Sequence, residues 1–391
     1  MIQGKRKEEQ TPPLNERTQL WASTMDGHVT TSPEDRLRTA HRNSHAIIGP
    51  VVTHDRERRD AGEELPINTG ATRSTSGGHR AIEEEADPFR TCFERDRDRI
   101  LHATAFRRLA GKTQVFVFPE DHQRSRLTHA LEVAQVARAI ATRLGLNIPL
   151  TEAIALGHDC GHGPGGHASE DALSPYVDGG YDHAQWGADV TLAPLNLCTE
   201  TLDGIRNHSW SRPAPSTPEG EVVSWADRIA YVCHDFEDAA HTGIVATKEL
   251  PPLVLTVCGN SRREQLATFI DGVVSGSARE GRVGMASEIA EALAAFRTFN
   301  YERIYLRPAS LRQAGRVIDL LRALVDHFLV HPSDLPAKDG DGGPDNRGSA
   351  ANTLAAVRYV GGMTDRFACR AGVRLLDWDK ERLPNGLDVT T

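Results

Sequence analysis

The sequence predicts a mainly α-helical fold. Three observations predict it. Long stretches carry apolar residues at spacings of three and four. Strand signals are few, QVFVF (114–118) being the best of them and expected to pair at most locally. The strongly amphipathic stretch 127–144 also ends at a helix stop, Gly145.

The elements follow in chain order. Residues 1–85 are rich in Arg, Glu, Thr, Ser, Gly and Pro with little periodicity. They read as a disordered, low-complexity tail with one short helix near Thr18–Met25. Its five histidines (His28, His41, His45, His54, His79) read as solvated, not metal-binding. Residues 86–245 read as a helical core. In it, 94–110 is a helix through Ile100, Leu101, Ala105 and Leu109, and 127–144 is a strongly amphipathic helix. A short helix over 150–156 runs into a glycine-rich loop. Helices are expected at 199–206 and 221–241, then at 261–275, 285–299, 310–330 and 351–368 in a C-terminal helical region, 246–391. By composition, 332–350 is a loop. No internal repeat is visible.

Composition narrows the function. The chain has 391 residues, a net charge of −9 and 39% hydrophobic residues. Its mean hydropathy is −0.43 and its pI about 6.0. A generic nucleic-acid or membrane surface is disfavoured by that charge. The six cysteines are scattered with no CxxC pair, which fits a reducing cytoplasm better than a disulfide framework. No apolar run approaches the roughly 20 residues that span a bilayer. The charged start MIQGKRKEEQ lacks the apolar segment of a secretory signal.

The chemistry concentrates in GHDCGHGPGGHASED (157–171). His158 and Asp159 are adjacent, so both reach one metal only if the chain turns sharply there, and the flanking glycines permit such a turn. His129 lies on the apolar stripe of Val133, Val136 and Ile140. Asp227 sits among Trp225, Ile229 and Val232, where a carboxylate is costly to bury unless it is paired or metal-bound. Taken singly, these residues read as a core histidine, a helix-end turn and a surface ion pair. Together they make a two-His, two-Asp set suited to a divalent ion, Mg²⁺ or Mn²⁺, with Co²⁺, Ni²⁺, Fe²⁺ and Zn²⁺ also compatible. Such an ion acidifies bound water and neutralises phosphoryl charge.

Three other patterns carry less. Gly161-x-Gly163-x-x-Gly166 has the dinucleotide-binding spacing, but no strand precedes it and Pro164 interrupts it. Gly111-Lys112-Thr113 resembles the end of a P-loop, yet Phe106 stands at the first glycine position. The arginines at 95, 97, 99, 107 and 108 alternate with Glu94, Asp96 and Asp98, which reads as a salt-bridged helix face.

Several blocks in order resemble one family. RDRDRILHATAFRRLAGKTQVF (95–116), RLTHALEVAQVAR (126–138), HDCGHGPGGHASE (158–170), LNLCTETLDGIRNHS (195–209), SWADRIAYVCHDFEDA (224–239) and YVGGMTDRFA (359–368) are similar to the dNTP triphosphohydrolases, dGTPase-like members of the HD-domain metal phosphohydrolases. The resemblance implies an HD core within 86–245. It also implies metal-dependent hydrolysis of a deoxynucleoside triphosphate to deoxynucleoside and inorganic triphosphate. It carries metal ligation over to His129, His158, Asp159 and Asp227. It implies that His167 and Glu170 form a proton-shuttling pair, with His162 and His183 beside them. Such a pair suits protonation of the departing 5′ oxygen near neutral pH. Substrate contacts carry over to Gln114, Arg126, Tyr231 and Asp235. Arg126 stands on the helical face of His129, and Tyr231 and Asp235 follow Asp227 along one face. Met singly, these four would read as a turn glutamine, an exposed arginine, a packed tyrosine and a capping aspartate. The resemblance further implies a cytoplasmic homo-oligomer, dimer-based and up to a hexamer, with a nucleotide or DNA effector. One block departs: DHAQWGADVTLAP (182–194) replaces the family's Ser-Leu-Arg run, so that phosphate contact is not carried over. Two alternatives stay open: another HD phosphohydrolase acting on monophosphates or alarmones, and a non-catalytic nucleotide sensor.

Overall fold

The computed structural model describes residues 28–29, 38–39, 55–63, 68–119, 122–336 and 350–385. Two compact units divide at Thr53/His54. In the first, β1 (His28–Val29) and β2 (Arg38–Thr39) pair antiparallel. The expected helix near Thr18–Met25 lies outside the described residues. The second unit carries everything that follows. It is helical: α1 (Arg56–Glu63), α2 (Cys92–His102), α3 (Thr104–Arg108), α4 (Arg126–Leu144), α5 (Ile148–Gly157), α6 (Ala168–Leu173), α7 (His183–Trp186), α8 (Thr199–Asn207), α9 (Pro218–His241), α10 (Pro252–Cys258), α11 (Arg262–Glu280), α12 (Ser287–Asn300), α13 (Pro308–Val330), α14 (Ala350–Gly361) and α15 (Asp365–Leu376).

Local chemistry sets the ends of the site-bearing helices. Ser125 opens α4 with an extended backbone, its N–H donating to Thr128 Oγ1 (3.1 Å), and left-handed Gly145 closes it. Asn147 caps α5 by accepting from the Leu150 N–H, and Thr217 caps α9 by accepting from the Gly220 N–H. On α4 the stripe Ala130, Val133, Val136, Ala137, Ile140 and Ala141 is fully buried. Each such aliphatic larger than alanine contributes about 1.5–3 kcal/mol by leaving water. The stripe packs against α9 and α5, and α5 in turn packs on α2 and α8. That packing holds His129 inside.

Four sequence expectations need correction. Residues 68–85, assigned to the tail, are docked on the core. Buried Glu219 accepts from Thr72 N–H and Oγ1, and the Arg80 guanidinium pairs with fully buried Asp96 at 2.7 Å. These long-range partners are invisible to local composition. QVFVF is not a strand. Only Thr113 bridges to Ser125, and Phe116 turns into the core instead of alternating. The expected helices at 94–110 and 351–368 are each two helices, broken at extended Ala103 and between Gly361 and Asp365. Finally, the expected division at 245 falls inside one hydrophobic cluster, which runs from Ala71 to Ile304 because α11 and α12 pack on α9. A second cluster joins α13, α14 and α15 to α6 and Trp186. Helices at 168–173, 183–186 and 252–258 were not foreseen; they are short and lie in polar or proline-containing stretches.

Candidate active site

The glycine run after α5 is shaped by close contacts. A Cβ on Gly161 would lie 1.9 Å from the His183 carbonyl oxygen, so only glycine lets the run pass α7. Gly166 has φ +63°, and a Cβ there would meet the Arg126 guanidinium at 2.7 Å. The run therefore returns across the end of α5 and faces α4 and α9.

This places His129, His158, Asp159 and Asp227 together. His129 Nε2 is 3.1 Å from Asp227 Oδ1 and 3.9 Å from Asp159 Oδ2. His158 Nε2 is 3.5 Å from Asp159 Oδ1 and 3.6 Å from Asp227 Oδ1. Donor atoms sharing one ion stand about 3–4 Å apart. His158 Nδ1 donates to the Ala155 carbonyl (2.7 Å), which turns the buried Nε2 toward the two carboxylates. Burial opposes the charge on Asp159, but Arg126, His158 and His162 outweigh it and hold the carboxyl well below its usual range. Burial opposes Asp227 likewise, and His129 and His158 outweigh it. Burial also works against charge on His158, yet the two carboxylates push it up to about 9. Two buried ionised carboxylates call for positive charge between them, held as a proton on His158 when no ion is bound, and the donor set fits a divalent metal ion in that proton's place.

Beside this set lies a chain of imidazoles. His162 Nε2 is 3.2 Å from Asp159 Oδ1, and its ring stacks on His183 at 3.7 Å. Burial, Arg126 and His183 keep His162 neutral. Glu170 binds two rings at once. Its Oε1 accepts from His183 Nδ1 (2.7 Å) and the His183 N–H (3.0 Å), and its Oε2 accepts from His167 Nδ1 (3.0 Å). Burial would raise the Glu170 carboxyl, but those two imidazoles hold it far below the usual range. His167 reaches outward while His183 is buried.

One further histidine went unassigned by sequence. His208 closes α8 as His158 closes α5, and each Nδ1 donates to the carbonyl three residues back, Ile205 at 2.8 Å and Ala155. His208 Nε2 lies 3.3 Å from His183 Nε2. Its donor atom groups with those of His158 and Asp159 within 4.8 Å, as do those of His129, His158 and Asp227. The shared helix-end position is the signal that would have found it.

A cavity of about 410 Å³ opens over these groups. Arg126 is not the exposed residue a single-residue reading suggests. It is 2% exposed, and its Nη1 donates to Asp159 Oδ2 at 2.7 Å, so one arm is engaged with a candidate ligand. Gln114 lines the cavity with its buried Oε1 unpartnered. The Tyr231 hydroxyl accepts from Arg297 Nε (2.9 Å), and Asp235 Oδ2 accepts from the Tyr305 hydroxyl (2.5 Å). Arg297, Tyr305, Arg228 and Trp210 belong to the wall and were not foreseen. Arg297 and Tyr305 come from a region with no recognisable motif, and Arg228 lies over the Trp210 ring at 3.3 Å.

Asp235 gives a measurable consequence. Burial pushes its carboxyl up to about 7 despite the Tyr305 bond. A raised carboxyl stabilises the fold while protonated, and that contribution is lost as pH rises from the ordinary aspartate range through about 7. Asp235→Asn should therefore gain thermal midpoint relative to the wild type between pH 5 and pH 8. A difference that is flat or shrinks over that range contradicts this.

With this geometry in hand, similarities to known proteins become specific. The HD domain family matches residues 126–232, a span holding Arg126, all four expected ligands and Tyr231. The phosphohydrolase-associated domain matches 283–374, which contributes Arg297 and Tyr305. A deoxyguanosinetriphosphate triphosphohydrolase-like protein of Caldanaerobacter subterraneus subsp. tengcongensis is 40% identical over 320 residues, covering 79% of this chain and 93% of that one. This chain belongs to that family. A relative of the same description from Clostridium perfringens is 39% identical over 300 residues, covering 72% and 86%. One from Nitrobacter hamburgensis is 34% identical over 395 residues, covering 81% and 98%. A solved phosphohydrolase of Bacteroides thetaiotaomicron is a distant likeness, with a TM-score of 0.45 and 18% identity over 70% of this chain and 66% of that one. The family makes this chain an HD-domain phosphohydrolase. No helix among the described residues is long and apolar enough to cross a membrane.

Proposed function

We propose that this chain hydrolyses a deoxynucleoside triphosphate to deoxynucleoside and inorganic triphosphate. The observation that carries the reading is the adjacency, in one cavity, of a His/Asp cluster fit for a metal and two imidazoles braced by one carboxylate. His129, His158, Asp159 and Asp227 would hold the ion, Mg²⁺ or Mn²⁺ first and Co²⁺, Ni²⁺, Fe²⁺ or Zn²⁺ as alternatives. Bound there, the ion supplies an acidified water and neutralises phosphoryl charge. Hydrolysis forms a bond from water oxygen to the α-phosphorus and breaks the bond to the 5′ oxygen, which must take a proton. His167, with Nδ1 held by Glu170, presents Nε2 for that transfer, and His183 is held by the other carboxylate oxygen. Neutral His162 and the unengaged arm of Arg126 line the cavity and would meet the phosphates. Gln114, Tyr231 and Asp235 line the sugar end.

We also place the protein in the cytoplasm as a homo-oligomer, dimer-based or hexameric, open to a nucleotide or DNA effector. The six unpaired cysteines support the compartment, and family resemblance supports the assembly.

The test is a four-dNTP panel with product identification, with and without added Mn²⁺ or Mg²⁺. Metal-dependent release of intact triphosphate from at least one dNTP is expected. Release of single phosphates, or no turnover, defeats the reading and favours a monophosphate or alarmone hydrolase or a non-catalytic nucleotide sensor.

A further inference from the structure

The break between α14 and α15 brings the C-terminal region against both loops that build the cavity floor. Asp365 opens α15 and is 5% exposed. Its Oδ1 accepts from the Gly165 N–H at 2.9 Å, and its Oδ2 accepts from the Thr113 hydroxyl at 2.6 Å. Gly165 lies two residues before His167 in the glycine run, and Thr113 directly precedes Gln114. Fully enclosed Lys112 makes the matching link. Its Nζ donates to the His162 carbonyl and to the Gly361 carbonyl at the end of α14. Two cross-links thus tie the run to the C-terminal helices, one at His162 and one at Gly165. Asp365 itself does not line the cavity, whereas Thr113, Gln114, Gly165 and His167 do.

We infer that Asp365, seconded by Lys112, is a positioning residue that sets the spacing between the His158–Asp159 turn and the His167–Glu170 pair, making the C-terminal region a working part of the active site. The physical need is plain. The run contains Gly161, Gly163, Gly165 and Gly166, and Gly165 and Gly166 have φ of +73° and +63°. Such backbone carries the largest conformational entropy to lose. A buried carboxylate accepting one backbone and one side-chain donor holds it in place. The inference rests on the hydrolase reading above, and its test separates the two.

The full-length chain is compared as wild type, Asp365→Ala, Asp365→Asn and Thr113→Val, using the dNTP that turns over. Misplacing a reacting group by about 1 Å costs roughly 100-fold in rate. For Asp365→Ala, kcat should fall at least about 30-fold, while KM and the calorimetric Kd for Mn²⁺ stay within about threefold. Asparagine can accept from Gly165 and donate to Thr113, whose hydroxyl rotates to receive it, so Asp365→Asn should recover at least about tenfold of the loss. Thr113→Val, which keeps the Gly165 bond, should lose about fivefold in kcat and serves if Asp365→Ala does not fold. The inference is overturned if kcat is unchanged in Asp365→Ala or, where that variant does not fold, in Thr113→Val. It is also overturned if Mn²⁺ affinity collapses together with kcat, or if Asp365→Asn fares no better than Asp365→Ala. If wild type turns over no dNTP, the hydrolase reading fails by itself. Hydrogen exchange over residues 159–168 then decides: selective acceleration in Asp365→Ala keeps the inference, and unchanged exchange overturns it.

Discussion

Asp159→Asn is expected to lower dNTP hydrolysis at least about 1,000-fold, the scale of losing a principal electrostatic group at a reacting phosphate. Asp159 is the most connected residue of the site. Its carboxylate faces His129, His158 and His162 within 3.9 Å and accepts a charged bond from Arg126. Asparagine keeps the shape but brings an amide that donates toward groups that are already donors, and it removes half of the anionic charge offered to a cation. Asp159→Ala is a harsher version. It leaves the Arg126 guanidinium buried without its partner, at a cost of about 3–5 kcal/mol. The two variants together separate ligand loss from unfolding. Metal content by elemental analysis and folding by circular dichroism accompany the kinetics. A folded Asp159→Asn with wild-type turnover and wild-type metal would remove Asp159 from the site.

Glu170→Gln should lower kcat by about 100- to 10,000-fold, the range for a positioned acid or base, with KM changed much less. Glu170 serves three donors: Nδ1 of His167, and Nδ1 and the backbone N–H of His183. Glutamine has one oxygen to offer them, and its amide N–H would face an imidazole N–H. At least one ring then loses its orientation toward the cavity. Stability adds a second readout. The Glu170 carboxyl is held well below the usual glutamate range, burial notwithstanding, by His167 and His183. A depressed carboxyl contributes stability above its unfolded value and loses it as pH falls. Wild type should therefore be more heat-stable than Glu170→Gln at pH 7, and the gap should begin to narrow as pH falls below the ordinary glutamate range. A gap that does not narrow at all between pH 7 and pH 3, or a kcat within threefold of wild type, would contradict the bracing role.

Much of the fold was legible because its helices are bounded by local chemistry. The 127–144 helix has its stripe and its Gly145 stop in adjacent letters, and the structure places it at Arg126–Leu144. The expectations that failed depended on distant partners. Residues 68–85 look like tail until Glu219 and Asp96 are seen to bind them. QVFVF has the β-branched and aromatic residues of a strand, but no strand pairs with it among the described residues, so Phe116 is buried in an irregular segment. Within the site, His129, His158, Asp159 and Asp227 could be nominated from residue type and helix context. His208 shares the helix-end position of His158 and could have been nominated with it, whereas Arg297 and Tyr305 could not, because each is an ordinary helical residue until the fold turns it into the cavity.

The sequence by itself determined the helical class and the family and nominated a chemical cast for the site, since apolar period, glycine spacing and ordered motif blocks are properties of neighbouring letters. Only the tertiary structure decided how that cast is arranged: that Arg126 leans on Asp159, that one carboxylate, Glu170, braces two imidazoles, and that Asp365 grips the glycine run from some 200 residues away. Those facts depend on which surfaces meet when α4, α5 and α9 bury their apolar faces and α13 to α15 close over the loop. Contacts between residues far apart in the chain leave no local pattern, because their energy comes from burial and pairing that exist only once the chain has folded.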